Sequence, residues 1–155
     1  MKRQTTVYNS FTGMSPGEKG SLVAFICKNT PNTDQKNVIE ALDYALKEKP
    51  SFGGFILAMK RDHAFIASIV VNNTGMQGYK PSNIFVYVTI HEDHQKDDQV
   101  LKEIMCKALD MSNGDVALHI DPQSPVIQLY QKLGFTQRTL ELRRNKNTQS
   151  TKAIA

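Results

Sequence analysis

The 155-residue chain is 40% hydrophobic and 22% charged, with 19 Lys and Arg against 15 Asp and Glu for a net charge of +4. Such a balance fits one globular domain with enough chain to bury a core, and excludes the disordered and disulfide-scaffold classes. The longest apolar runs, such as SLVAFIC (21–27), fall far short of the roughly 20 residues of a membrane-spanning helix.

MKRQTTVYNS (1–10) lacks the apolar h-region of a secretory signal, so the expected compartment is the cytoplasm. TTVYNSF (5–11) alternates as a short strand. Ser15-Pro16-Gly17-Glu18 is a helix start: Ser at the N-cap, Pro at the first helical position, and Glu three residues on to close a capping box. That helix should run to about Cys27. Asn32-Thr33-Asp34 can cap a second helix, in which Val38, Leu42, Ala45 and Leu46 recur at helical spacing until Pro50.

GGFILAMK (53–60), AFIASIVV (64–71) and NIFVYVTI (83–90) are rich in β-branched and aromatic residues. Arg61-Asp62-His63 joins the first two as a hairpin, and NNTGMQGYKPS (72–82) is a loop. QVLKEIMCKALDM (99–111) has apolar residues at 100, 101, 104, 105, 108 and 109, the spacing of a helix, which Asn113-Gly114 ends. DVALHI (115–120) is a strand, SPVIQLYQKL (124–133) a short helix with Ser124 as N-cap, and TQRTLELR (136–143) a final strand. The predicted order is β-α-α-β-β-β-α-β-α-β. It is an α+β fold: a mixed, mostly antiparallel sheet of about six strands flanked by about four helices, with a crossover that makes two strands parallel. Cys27 and Cys106 are expected as small buried hydrophobes of a reducing compartment.

From residue 138 onward stand Arg138, Arg143, Arg144, Lys146 and Lys152 against Glu141, which is 5 − 1 = +4; the preceding 137 residues sum to zero. Residues 1–143 are therefore expected as the domain and 144–155 as a poorly ordered basic extension. The extension lacks the interleaved aromatics and motifs of nucleic-acid binding, which argues against such a partner.

The stretch Leu129-Tyr130-Gln131-Lys132-Leu133-Gly134-Phe135, at the end of an element order that fits nearly the whole chain, resembles the tail of the GNAT superfamily of N-acetyltransferases. Physically, Val126, Ile127, Leu129, Tyr130 and Leu133 make an apolar face and Gly134 supplies a left-handed stop. The resemblance implies that Tyr130 lies beside the coenzyme A sulfur and donates a proton to the leaving thiolate. It also implies that backbone groups of Val88, Thr89 and Ile90 hold the pantetheine arm, with acetyl-CoA as cosubstrate. The superfamily's pyrophosphate signature, Arg/Gln-x-x-Gly-x-Gly/Ala, falls on Gln95–Val100 or, one residue on, Lys96–Leu101. Lys96, Asp98, Gln99 and Val100 are thus candidate cofactor contacts, and no glycine stands in either register. Ser124 occupies the turn that commonly holds an asparagine.

Three residues near the implied site can take a proton: His91 and Glu92 at the end of strand 83–90, and His119 on the next strand. His91 and His94 make no convincing metal set, and no P-loop, paired-cysteine or Ser-His-Asp pattern occurs. The implied function is acetyl transfer from acetyl-CoA to a small-molecule or peptide amine. The alternative is a GNAT-like binding module without catalysis, which the aspartates at 97 and 98 favour. Oligomeric state and acceptor identity leave no trace in the sequence.

Overall fold

The computed structural model describes residues 2–146. Five strands and four helices follow one another as β1 (Gln4–Tyr8), α1 (Pro16–Asn29), α2 (Gln35–Leu46), β2 (Gly54–Arg61), β3 (Ala64–Asn73), β4 (Asn83–Ile90), α3 (Asp98–Met111), β5 (Val116–Leu118) and α4 (Ile127–Lys132). The sheet order is β1-β2-β3-β4-β5, antiparallel up to β4 and parallel between β4 and β5.

Side-chain alternation along the strands builds two cores. Ile56, Ala58 and Val70 face α1 and α2, against Leu22, Ile26, Val38 and Leu42. Leu57, Met59, Ile69, Val71 and Phe85 face the other way, onto Val100, Ile104 and Met105 of α3 and Tyr130 of α4. The expected helix starts form as read. Ser15 accepts from the Glu18 N–H at 3.2 Å, and Asp34 accepts from the Lys36 N–H at 3.0 Å. The β2–β3 hairpin turns on Asp62 and His63, both at positive φ, as a two-residue loop of right-handed twist requires.

Three expectations are corrected. Residues 136–143 form no strand: Leu140 and Leu142 are 78% and 87% exposed, because three-residue β5 offers too short an edge for their alternation to pair against. Ser124 is not the residue at the cap of α4, although its Oγ accepts from the Val126 N–H at 3.4 Å just ahead of the helix. Asp121 draws the chain into a turn by accepting from the Gln123 and Ser124 N–H groups, so the helix begins only at Ile127, and the residue at its cap is Val126. Cys106 is exposed and Cys27 half-buried, since position 106 lies off the stripe by which α3 packs. The basic extension from residue 147 onward lies outside the described residues.

Candidate functional site

The site begins at an irregularity in β4. Val70 pairs with Tyr87 but Val71 pairs with Phe85, so Val86 is an extra residue, a bulge. Val86 and Tyr87 consequently both face the α1–α2 core, after which Val88 and Ile90 return to the α3–α4 side. On its other edge β4 pairs with β5 only at Asn83, Ile84 and Phe85. From Val86 to Ile90, therefore, β4 has no strand beside it on that edge among the described residues, and the two strands part.

The N–H of His91 donates to the Ile66 carbonyl at 2.8 Å, fixing which residues point towards β3. By the two-residue repeat, Val88 and Ile90 turn their N–H and C=O groups to the open side. There the Ile90 carbonyl accepts from Gln95 Nε2 at 3.3 Å. Thr89, the third expected contact, points its backbone the other way. Its buried hydroxyl instead lies 3.3 Å from that of Thr30.

Tyr130 belongs to the apolar cluster that also contains Val88, Ile90 and Leu118. Its place is set by how α4 ends. Gly134, at φ 100°, lets its own N–H reach the Gln131 carbonyl and the Phe135 N–H reach the Tyr130 carbonyl at 3.1 Å. The Phe135 ring then meets the Tyr130 ring edge-on, 5.8 Å between centroids. The helix stop and the tyrosine's anchoring are one motif. Tyr130 is 7% exposed, and burial pushes its phenol up to about 12. Its hydroxyl makes no hydrogen bond among the described residues.

Beyond β4 the chain enters a short 3-10 turn, Glu92–His94, and then α3. Asp97 caps α3, its Oδ1 accepting from the Gln99 N–H at 3.0 Å. Three other amides nearby are committed too: His94 to His91 O, Asp97 to His94 O, and Val100 to Asp97 O. Asp98 opens the helix, Val100 is buried in the core, and Lys96 and Gln99 are exposed.

Of the proton acceptors named from sequence, His91 uses Nδ1 to accept from the Asp93 N–H at 3.0 Å and stacks on Phe25. In a neutral ring the hydrogen is then on Nε2, which leaves no free basic nitrogen. His119 is 68% exposed and pairs with Glu141 at 3.1 Å. Glu92 is different. It lines an open cleft of about 600 Å³ on the α1–α2 side, together with Gln95, Asp34, Cys27 and residues 28–33. Asn29 joins the two walls, its Oδ1 accepting from the Glu92 N–H at 3.0 Å. The 72–82 loop lies at the opposite end of β4 and does not line this cleft. Sequence reasoning missed Asn29 and Thr30, for which a helix-terminal Asn-Thr is too common a pair to be a signal.

No described group of His, Cys, Asp and Glu is arranged to hold a metal ion. No described helix is long and apolar enough to cross a membrane.

No family model and no curated protein matches the chain. Solved structures do. A GNAT family acetyltransferase from Streptococcus pneumoniae superposes with a TM-score of 0.63 at 12% identity, covering 94% of this chain and 100% of that one. An aminoglycoside N-acetyltransferase in complex with CoA gives 0.59 at 11% identity over 96% and 98%. A transcriptional regulator from Bacillus halodurans gives 0.66 at 15% identity over 92% and 99%. At these identities the likeness speaks for the fold.

Proposed function

Because the chain has the GNAT fold, we propose that it is an acyl-thioester-dependent N-acyltransferase that acetylates a small-molecule or peptide amine. The observation that carries this reading is the parted β4–β5 pair with Tyr130 buried in the apolar cluster beside it, its hydroxyl unengaged. A thioester arm laid along the open edge of β4 would bond to the outward backbone groups of Val88 and to the Ile90 N–H, the Ile90 carbonyl being held by Gln95. A β-strand is a good partner for the amides of a pantetheine arm, which need the same ladder hydrogen bonds as a peptide.

In the proposed reaction the amine nitrogen attacks the thioester carbonyl carbon. The C–N bond forms, the C–S bond breaks with its electron pair on sulfur, and the ammonium proton leaves by water or Glu92. The Tyr130 phenol faces the departing sulfur as a hydrogen-bond donor. With a phenol near 12 and a thiol near 8.5, outright proton transfer is uphill by about three powers of ten. Stabilising the developing thiolate is therefore the tyrosine's role, and the proton comes finally from solvent. Among the candidate bases Glu92 is preferred, because it alone faces the cleft. The compartment proposed is the cytoplasm.

A second reading has its own observation. The Asp97 carboxylate already occupies the α3 amide where a phosphate would sit. Two like unit charges about 4 Å apart repel by about 4 kcal/mol at an effective dielectric of 20. One neighbour of this fold is titled a transcriptional regulator, so the fold does not by itself entail catalysis. Calorimetry separates the two readings. Saturable acetyl-CoA binding by the wild-type chain, with acetyl transfer in an amine screen that Tyr130→Phe depresses, supports the enzyme. Absent wild-type binding that appears in an Asp97→Ala/Asp98→Gly double variant turns the assignment to a non-catalytic binding module.

A further inference from the structure

Resting on the acyltransferase reading, we propose that this chain recognises its acyl donor by the pantetheine arm alone and does not discriminate for the nucleotide half, so that a short pantetheine thioester serves as well as acetyl-CoA. The two halves of acetyl-CoA meet very different surroundings. The arm would run along Val88 and Ile90, where backbone groups are open and the flanking side chains apolar. The phosphates would reach the 91–101 loop, where Lys96 is the single cation among four carboxylates.

Each way in which such a loop holds phosphate is restricted. Free amides are the first: those of Glu92, Asp93, His94, Asp97, Gln99 and Val100 already have partners. Charge is the second. Glu92, Asp93, Asp97 and Asp98 stand against Lys96 alone, which is 4 − 1 = 3 net negative charges with the histidines neutral. Backbone clearance is the third, because every residue between Gly78 and Gly114 carries a side chain, so the loop has no glycine at which a phosphate could come close to the main chain. A polyanionic tail at this place meets a surplus of its own sign of charge.

The test compares calorimetric dissociation constants for acetyl-CoA and S-acetylpantetheine on the full chain, at low and high salt. The expected result is affinities that agree within about tenfold, with little salt dependence in either. Acetyl-CoA binding more than about tenfold tighter, by a salt-sensitive margin, overturns the inference and leaves the acyltransferase reading standing. Binding of neither compound overturns both. An Asp97→Ser/Asp98→Gly variant keeps a hydroxyl cap on α3 while removing two charges and adding a glycine. It is expected to shift the preference towards acetyl-CoA by about tenfold with S-acetylpantetheine unchanged; an unchanged ratio would mean that the carboxylates are not what sets it.

Discussion

The β2–β3 pair and the β4–β5 pair are built on opposite plans. The hairpin is paired along its length, Gly54 with Asn72 through Arg61 with Ala64 around one extra residue at Ile66, and is covered on both faces by buried apolar side chains. The β4–β5 pair holds together for three residues and then parts, with half-buried residues throughout β5. The first arrangement spends its hydrogen-bonding groups on stability. The second keeps some of them unspent, at the place where a ligand with amide groups would use them. Stability and the candidate chemistry thus sit in different halves of one sheet, and changes to the two halves should be separable.

Substitutions can break that comparison. Leu57→Ala in β2, at a site with no exposed surface, should cost about 3 kcal/mol in urea melts, while Leu118→Ala in β5 should cost about 1 kcal/mol. Equal losses would mean the open half is as tightly packed as the closed one. Tyr130→Phe should lower turnover by about a hundredfold yet leave stability at neutral pH within about 0.5 kcal/mol, because the hydroxyl it removes has no protein partner. The same variant carries an alkaline signature. Burial raises the folded-state phenol to about 12, while the unfolded phenol ionises near 10. The tyrosine's contribution is therefore complete below pH 10 and is lost as pH climbs towards 12. Wild type should lose about 2–3 kcal/mol more than Tyr130→Phe over that window, read by denaturant titrations. Tyr8, also raised to about 12 by burial and by its bond to Glu18, is common to both proteins and cancels. Gly134→Ala meets no neighbour but must hold φ near 100°, a strain of about 1–2 kcal/mol that should loosen Tyr130 as well. Smallest is Asp97→Ala, which removes one cap and about 1 kcal/mol of thermal stability.

Local chemistry made much of the fold legible. Ser15 and Asp34 start helices because their side chains satisfy amides two or three residues on, a purely local bargain. Arg61-Asp62-His63 between two runs rich in β-branched and aromatic residues marked the hairpin. The errors arose where local and distant preferences compete. Ser124-Pro125 has the chemistry of a helix start, but Asp121 captures the chain first. Residues 136–143 alternate as a strand should, yet a strand needs an edge, and the length of β5 is not written in residues 136–143. The tail Leu-Gly-Phe located Tyr130 correctly because the helix stop and the ring contact are both made within six residues. His91 looked like a base from its position alone. Its bond from Asp93, two residues on, was invisible until the turn between them was seen. The cleft against α1 could not be read at all, since Asn29 and Glu92 meet across 63 positions of chain.

The extra residue at Val86 acts on the rest of β4 as a single-letter insertion acts on a reading frame. Upstream of it the odd-numbered Phe85 faces α3; downstream the even-numbered Val88 and Ile90 do, and Tyr87 is left facing α1. A β4 that kept Val86 but ran without the bulge would hold one parity along the whole strand. Tyr87 and Thr89 would then be pressed into the apolar side, and Val88 and Ile90 turned towards α1. Deleting Val86 instead takes out the extra residue and leaves Tyr87, Val88, Thr89 and Ile90 on the faces they now hold, so those four positions depend on the bulge being kept for as long as Val86 is there.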